Sequence, residues 1–234
     1  MKLKQIKQAT DAAKHQNHFV SLPPAFLKLD IPAAPSPSEL DEDRKQITSA
    51  RIQHFASPLH PNLLDQCLQL FEENMGNMYQ SSSWGLDLEE KRKELTHDDA
   101  RFLLVLSDND DADDLPTGTE SSSQVLGFAH FRYEEDDEDD PKVPVSYLYE
   151  LQIQSTHQKA GLGKHLMNVV ELLALKSHMH KVMLTVFKIN TKAMGFYLNK
   201  MKYEIDECSP SNFEGEENEN FDYEILSKSL VGAK

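Results

Sequence analysis

Cysteine is scarce: the 234-residue chain has two, Cys67 and Cys208. That excludes a disulfide-built scaffold and a cysteine metal framework, and it suits a reducing compartment. No apolar run approaches the roughly eighteen residues a membrane-spanning helix needs, so no such helix is expected. The opening Met1-Lys2-Leu3-Lys4-Gln5-Ile6 has neither an apolar core nor a cleavage site, so no secretory leader is expected. Positive charge is also short: 24 Lys and Arg stand against 39 Asp and Glu, a formal net charge of −15. Such a surface repels phosphate backbones, which disfavours nonspecific nucleic-acid binding, and it steers basic partners toward the chain. The ten histidines are scattered, and the close pair His178-Met179-His180 falls at a helix end, where solvated side chains are the rule. No metal site is expected.

The length allows one sizeable core with extensions. Residues 1–46 read as an N-terminal extension, a short helix followed by a proline-rich segment that lies on the main domain. Leu22 to Ser38 carries too many prolines to be a regular element. Gln46–Phe55 reads as a first strand. Pro61–Tyr79 reads as a helix with a wide apolar face, starting on proline as helices often do. Leu88–Leu95 is a short charged helix. Arg101–Leu106, Val125–Tyr133 and Pro144–Ile153 read as strands. Between them lie an acidic loop near residues 108–123, expected to be disordered, and Glu134–Lys142, polar enough for a turn. A helix from Leu166, a strand Val182–Phe187, a further helix and two terminal strands near Tyr203–Ile205 and Phe221–Leu226 complete a domain over 47–228. The fold class is α+β, with a mixed, mostly antiparallel twisted sheet flanked by helices.

The richest stretch is Gln158-Lys159-Ala160-Gly161-Leu162-Gly163-Lys164, between a strand and a helix. Two glycines at such a junction let backbone N–H groups converge, and the helix N-terminus adds partial positive charge. That is a phosphate or pyrophosphate cradle. A P-loop needs G-x-x-x-x-G-K-[ST], but Gln158 stands five before Gly163 and His165 follows Lys164. A dinucleotide fingerprint needs a third glycine that is missing. The spacing [RQ]-x-x-G-x-[GA] does fit, and with it this region resembles the coenzyme A loop of the GNAT acetyltransferases. Asn190-Thr191-Lys192-Ala193-Met194-Gly195-Phe196-Tyr197-Leu198-Asn199-Lys200, after the second strand, resembles that family's N-x-x-A-x-x-F-Y-x-K pattern. Lys202-Tyr203 stands where Gly-Phe is usual.

Longer strings narrow the resemblance. Phe71-Glu72-Glu73-Asn74-Met75, Ser83-Trp84-Gly85-Leu86, His130-Phe131-Arg132-Tyr133, Tyr147-Leu148-Tyr149-Glu150, Lys181 to Lys188, Ile205 to Ser211 and Tyr223 to Ser227 together resemble the N-alpha-acetyltransferase D (NatD) group, from about Phe71 to Ser227. The resemblance implies an acetyl-CoA-dependent enzyme of cytoplasm and nucleus. It would acetylate the N-terminal serine of histone 4 and histone 2A tails, which begin Ser-Gly-Arg-Gly, by direct transfer without a covalent intermediate. A monomer is expected. The alternatives are a GNAT enzyme for lysine side chains or other protein N-termini, and a non-catalytic acidic histone-binding protein.

An α-amine has a pKa of about 7.7–8.0, so attack on a thioester needs a base. Glu150, a carboxylate inside an aromatic and apolar run, is that candidate. By strand alternation Tyr149 and Glu150 point to opposite faces, unless a β-bulge splays them. The resemblance implies that Leu151, Gln152 and Ile153, the loop Gln158, Lys159, Ala160, Gly161, Leu162, Gly163 and Lys164, and Asn190 and Tyr197 hold the cofactor. Asn190 also suits a helix N-cap, Ala193 leaves room for the pantetheine arm, and Tyr197 is a candidate donor to the leaving thiolate. Tyr79, Trp84, Tyr147, Tyr149 and Tyr223 would wall a slot for a serine-glycine start. Glu134 and Asp136 would pair the third-position arginine. Thr185 and Cys208 match substrate-contacting positions, with Cys208 where a hydroxyl residue is usual.

Overall fold

The computed structural model describes residues 2–32, 47–107, 123–136, 143–213 and 221–230. The expected loop at 108–122, the end of the proline-rich segment after Pro32, and residues 137–142 lie outside the described residues.

In chain order the elements are α1 (Lys2–His15), β1 (Lys28–Pro32), β2 (Ile47–Ala56), α2 (Pro61–Ser81), α3 (Leu88–Leu95), β3 (Arg101–Ser107), β4 (Val125–Asp136), β5 (Val143–Ile153), α4 (Leu162–Lys176), β6 (Lys181–Phe187), α5 (Thr191–Gly195), a wide π turn (Phe196–Met201), β7 (Glu204–Ile205) and β8 (Tyr223–Ser229). The strands form one sheet in the order β1-β2-β3-β4-β5-β6-β8-β7. Among the described strands only β5 and β6 pair in parallel.

Alternation along β3 builds both layers. Phe102, Leu104 and Leu106 face α2 and α3, meeting Leu63, Cys67, Leu70 and Leu95. Leu103 and Val105 face the other way, into a core with Leu166, Val170 and Leu173 of α4 and Ala13 of α1. A strand buried on both faces reads as an unbroken apolar run, as Arg101 to Leu106 does. The Arg101 guanidinium donates to the carbonyls of Ala13 and Lys14 at the end of α1, where Ala13 also accepts from the Gln16 N–H.

Two expectations need correction. The proline-rich segment contains a strand, β1, paired antiparallel from Lys28↔Arg51 to Pro32↔Ile47. Its proline sits at the last position of an edge strand, where a missing N–H costs least. The polar stretch after Tyr133 is not all turn: Glu134, Glu135 and Asp136 continue β4, paired with Val145, Pro144 and Val143. Their backbone bonds to β5 outweigh the poor strand propensity of acidic residues.

Candidate active site

The ladder between β5 and β6 runs from Val145↔Lys181 to Leu148↔Leu184 and stops. Beyond it β5 stays paired to β4 through Gly127↔Ile153. Residues Tyr149 to Gln152 therefore keep one backbone edge open toward β6. A cleft of about 650 Å³ opens along that edge. It is lined by Leu151, Gln152, Ile153, Gln158, Lys159, Gly161, Leu162, Gly163, Lys164, Asn190 and Tyr197, which brings together all the expected cofactor residues except one. Ala160 is the exception: it is exposed and outside the lining.

The local chemistry of this cleft suits an anion. Gly161 caps α4 at φ +91°, a left-handed conformation that glycine adopts without strain. A Cβ there would meet nothing within 4 Å, so the space beside it is open. The first N–H groups of α4 and its positive end border that space. Lys159, Lys164, Lys192 and Lys200 also line the cleft, and no acidic side chain does among the described residues. In a chain of net charge −15 that concentration of cations is a local reversal. Gln158 donates to the Ile153 carbonyl at 3.1 Å and ties the loop to β5. Asn190 caps α5 by accepting from the Ala193 N–H at 3.2 Å. The π turn that follows brings both Phe196 and Tyr197 to the cleft.

At its inner end the cleft meets a small cavity of about 80 Å³, whose walls include Tyr79, Trp84, Tyr149, Glu150, Thr185 and Phe187. Tyr149 and Glu150 reach one cavity because the β4–β5 register slips between His130↔Glu150 and Phe131↔Leu148. Tyr149 is the extra residue of a bulge, the device that strand alternation required. A second opening, about 520 Å³, lies on the far side and shares Tyr79, Trp84 and Tyr149 with the small cavity.

The aromatic side chains form two groups, one around Trp84 and one around Tyr149. Trp84 packs on Tyr79 at 6.1 Å, Phe187 at 5.1 Å and Tyr223 at 5.2 Å between ring centroids. Trp84 is 49% exposed, so it forms a lip and not core. Tyr147 stands behind Tyr149 at 5.1 Å, and its hydroxyl shares a hydrogen bond with Thr185. Tyr149 donates to Glu134 at 2.6 Å, which holds Glu134 against the Tyr149 hydroxyl, although Glu134, like Tyr147 and Tyr223, lines none of the three cavities itself. Burial, with the Glu150 charge adding to it, pushes the Tyr79 phenol up to about 12. Burial followed by Glu150 likewise raises Tyr197. Both phenols therefore keep their protons at neutral pH.

Two expected substrate residues stand elsewhere. Asp136 is buried and holds Lys181 at 2.6 Å, an ammonium it shares with Asp206 at 3.0 Å. Its carboxylate completes an ion cluster that ties β4, β6 and the β7–β8 region, so it is removed from the list of arginine readers. Cys208 lines none of these cavities; its N–H donates to Asp206, and burial and Asp206 push its thiol up to about 12.

The surroundings of Glu150 also differ from an apolar run. Its carboxylate is 5% exposed and both oxygens are held: Oε1 accepts from Lys91 Nζ at 2.8 Å and Oε2 from Gln152 Nε2 at 2.7 Å. Asn74 donates to Gln152 Oε1 at 3.0 Å and to the Ile153 carbonyl at 3.1 Å. Lys91 and Asn74 were missed from sequence, yet each left a mark. Lys91 sits between Leu88 and Leu95 on one face of α3, and Asn74 on the buried face of α2 with Leu70 and Phe71. A polar residue in an apolar stripe is the signal that finds both.

A family model described as "Acetyltransferase (GNAT) family" matches residues 64–203. Among solved structures, Arabidopsis thaliana NAA60 in complex with a bisubstrate analogue is similar over 77% of this chain and 99% of that one, at 17% identity and TM-score 0.52. The same protein in complex with acetyl-CoA matches at 15% identity over 78% and 99%, TM-score 0.52. A GNAT-family acetyltransferase from Staphylococcus aureus Mu50 matches at 13% identity over 77% and 99%, also at 0.52. At these identities the likeness is one of fold.

Proposed function

The chain belongs to the acetyltransferase (GNAT) family, and on that premise we propose that it transfers acetyl from acetyl-CoA to the free α-amine of a protein N-terminus, with the Ser-Gly-Arg-Gly start of histone 4 and histone 2A tails as substrate. One observation carries the reading: Glu150 lies in a narrow aromatic passage between an anion-suited cleft and a second, separate opening. Acetyl-CoA supplies the thioester. The open edge of β5 suits its pantetheine amides, and the α4 N-terminus with the four lysines suits its phosphates. The acceptor is left the other side.

Glu150 takes one proton from the incoming ammonium: an N–H bond breaks, an O–H bond forms, and the freed lone pair can attack the acetyl carbonyl. As the C–S bond breaks, the departing sulfur takes a proton from Tyr197, the nitrogen's second proton passes to the Tyr197 oxygen, and Glu150 gives its proton to solvent as the product leaves. Tyr197 lines both the cofactor cleft and the small cavity with its proton in place, which supports it as the donor to sulfur. A buried thiol that could form an acyl-enzyme is not part of this passage: Cys67 lies in the α2 core with its thiol raised by burial.

The NatD-type strings, the acidity of the chain and the small aromatic slot support a serine-glycine start followed by arginine. A histone substrate would place the enzyme's work in cytoplasm and nucleus. Glu134, fixed by Tyr149, is the carboxylate proposed to read that arginine. In a double-mutant cycle of Glu134→Ala against arginine-to-alanine at the third peptide position, a coupling of about 1–3 kcal/mol is expected. Asp136→Ala should leave this discrimination unchanged and lower thermal stability, because it removes a buried partner of Lys181. Zero coupling at Glu134 would remove it from arginine recognition.

The substrate itself is tested with acetyl-CoA and a set of peptides: Ser-Gly-Arg-Gly free, the same peptide N-terminally blocked, and unrelated free N-termini. Turnover confined to the free Ser-Gly-Arg-Gly start supports the proposal. Equal turnover of unrelated starts contradicts the histone assignment and points to a broader N-terminal enzyme.

A further inference from the structure

Lys91 is a buried cation between two carboxylates. Its side chain is 8% exposed, and its Nζ lies 2.8 Å from Glu150 Oε1 and 2.8 Å from Glu94 Oε1. The ammonium also sits over the Phe71 ring, 4.7 Å from the centroid, and 5.5 Å from that of Tyr79. One cation serves two carboxylates, and one of the two is the carboxylate proposed to accept the substrate proton.

The arrangement has a consequence when that proton arrives. Before it, Glu150, Lys91 and Glu94 together carry one net negative charge. Afterward Glu150 is neutral, and an ammonium paired with it alone would be left buried without a counter-charge, which a low-dielectric interior strongly disfavours. Glu94 prevents that. Its carboxylate is 27% exposed and borders the outer cavity, so it keeps Lys91 paired in both states. We propose that Lys91 is a positioning residue that orients the Glu150 carboxylate and sets its strength as a base, with Glu94 as the counter-charge that keeps Lys91 satisfied while Glu150 holds the acceptor's proton. This rests on the reading of Glu150 as the base.

The other titratable groups around Glu150 do not take over this role. His130 lies opposite it on β4, fully buried, stacked between Phe102 and Tyr149, with neither ring nitrogen hydrogen-bonded. Burial, then Arg132 and Lys91, hold His130 well below its usual range, so it stays neutral. Tyr79 and Tyr197 are likewise neutral. Arg132 is directed to the Glu94 carbonyl and the Tyr149 ring, 4.2 Å away. For Lys91 burial opposes the charge, and the Glu150 and Glu94 carboxylates more than reverse it, so its pKa is raised and the cation persists.

The signs follow. Without Lys91, Glu150 loses a favourable charge and holds a proton to higher pH. Without the Glu94 charge, Lys91 acts on Glu150 undivided and Glu150 releases its proton at lower pH. The acid limb of the kcat/KM profile for a Ser-Gly-Arg-Gly peptide should therefore move up in Lys91→Met and down in Glu94→Gln, by about 1–3 pH units where a charge pair is lost. Lys91→Arg should restore the limb to near its native position. An acid limb unmoved in Glu94→Gln, or displaced as far in Lys91→Arg as in Lys91→Met, would overturn the proposal, and Glu94→Gln decides it should Lys91→Met fail to fold. Carboxyl ¹³C NMR titration, with the Glu150 resonance assigned by its loss in Glu150→Gln, reads the same shifts without turnover. If the wild-type enzyme acetylates no α-amine, the functional reading fails, while opposite NMR shifts still uphold the role of Lys91 and equal ones refute it.

Discussion

Glu150→Gln is expected to lower kcat by about 10²–10⁴ while leaving acetyl-CoA affinity nearly intact, since a positioned general base contributes that much. The amide keeps the shape of the carboxylate and can still meet Gln152, but it cannot accept a proton in the working range. It also leaves Lys91 with Glu94 alone, so the fold retains a paired cation. Calorimetry with coenzyme A should separate binding from chemistry, because Glu150 lines the small inner cavity and not the long cleft. A near-native kcat from pH 6 to 9 would remove Glu150 from the mechanism.

The second large effect concerns the cofactor. Gly161→Glu should weaken coenzyme A binding by about 10²-fold or more, a loss of nearly 3 kcal/mol. The substitution places a carboxylate at the positive end of α4, where the phosphates are proposed to lie. It also forces a Cβ into φ +91°, which costs about 1–2 kcal/mol of folding stability. Gly161→Ala carries the same strain without the charge, so it should lose melting temperature and retain most affinity. The contrast isolates the charge. Gly163→Glu carries no positive-φ strain, and a Cβ there makes ordinary contacts of 3.7 Å to Phe196 and 3.9 Å to Leu151; its effect is expected to come from charge. Equal affinity of Gly161→Glu and Gly161→Ala would show that the phosphates bind elsewhere.

The cofactor half of the site was legible because its signal is local. Two glycines, a strand before and an amphipathic helix after define the loop, and Asn190 and Tyr197 follow at a fixed spacing on one segment. The acceptor half depends on pairings across the fold. The bulge at Tyr149 is a property of the β4–β5 register, and alternation within β5 alone gives the wrong answer. Asp136 looked like an arginine reader because nothing nearby in sequence neutralises it; its partner Lys181 lies two strands away, on β6. Glu150 looked apolar in its surroundings for the same reason: the ammonium that meets it comes from α3, whose charged appearance hid the buried face carrying Lys91. β1 was obscured by the prolines that flank it, which exclude a central strand but not an edge.

If this passage serves the proposed reaction, it delivers acetyl to an α-amine and to no other nitrogen of the substrate. The direct measurement is mass-spectrometric placement of the acetyl group on a single peptide that begins Ser-Gly-Arg-Gly and carries internal lysines, incubated with the enzyme and acetyl-CoA. One acetyl group is expected, on the N-terminal nitrogen, in wild type and almost none in Glu150→Gln. Acetyl groups on lysine side chains, or equal labelling of an N-terminally blocked copy, would contradict it.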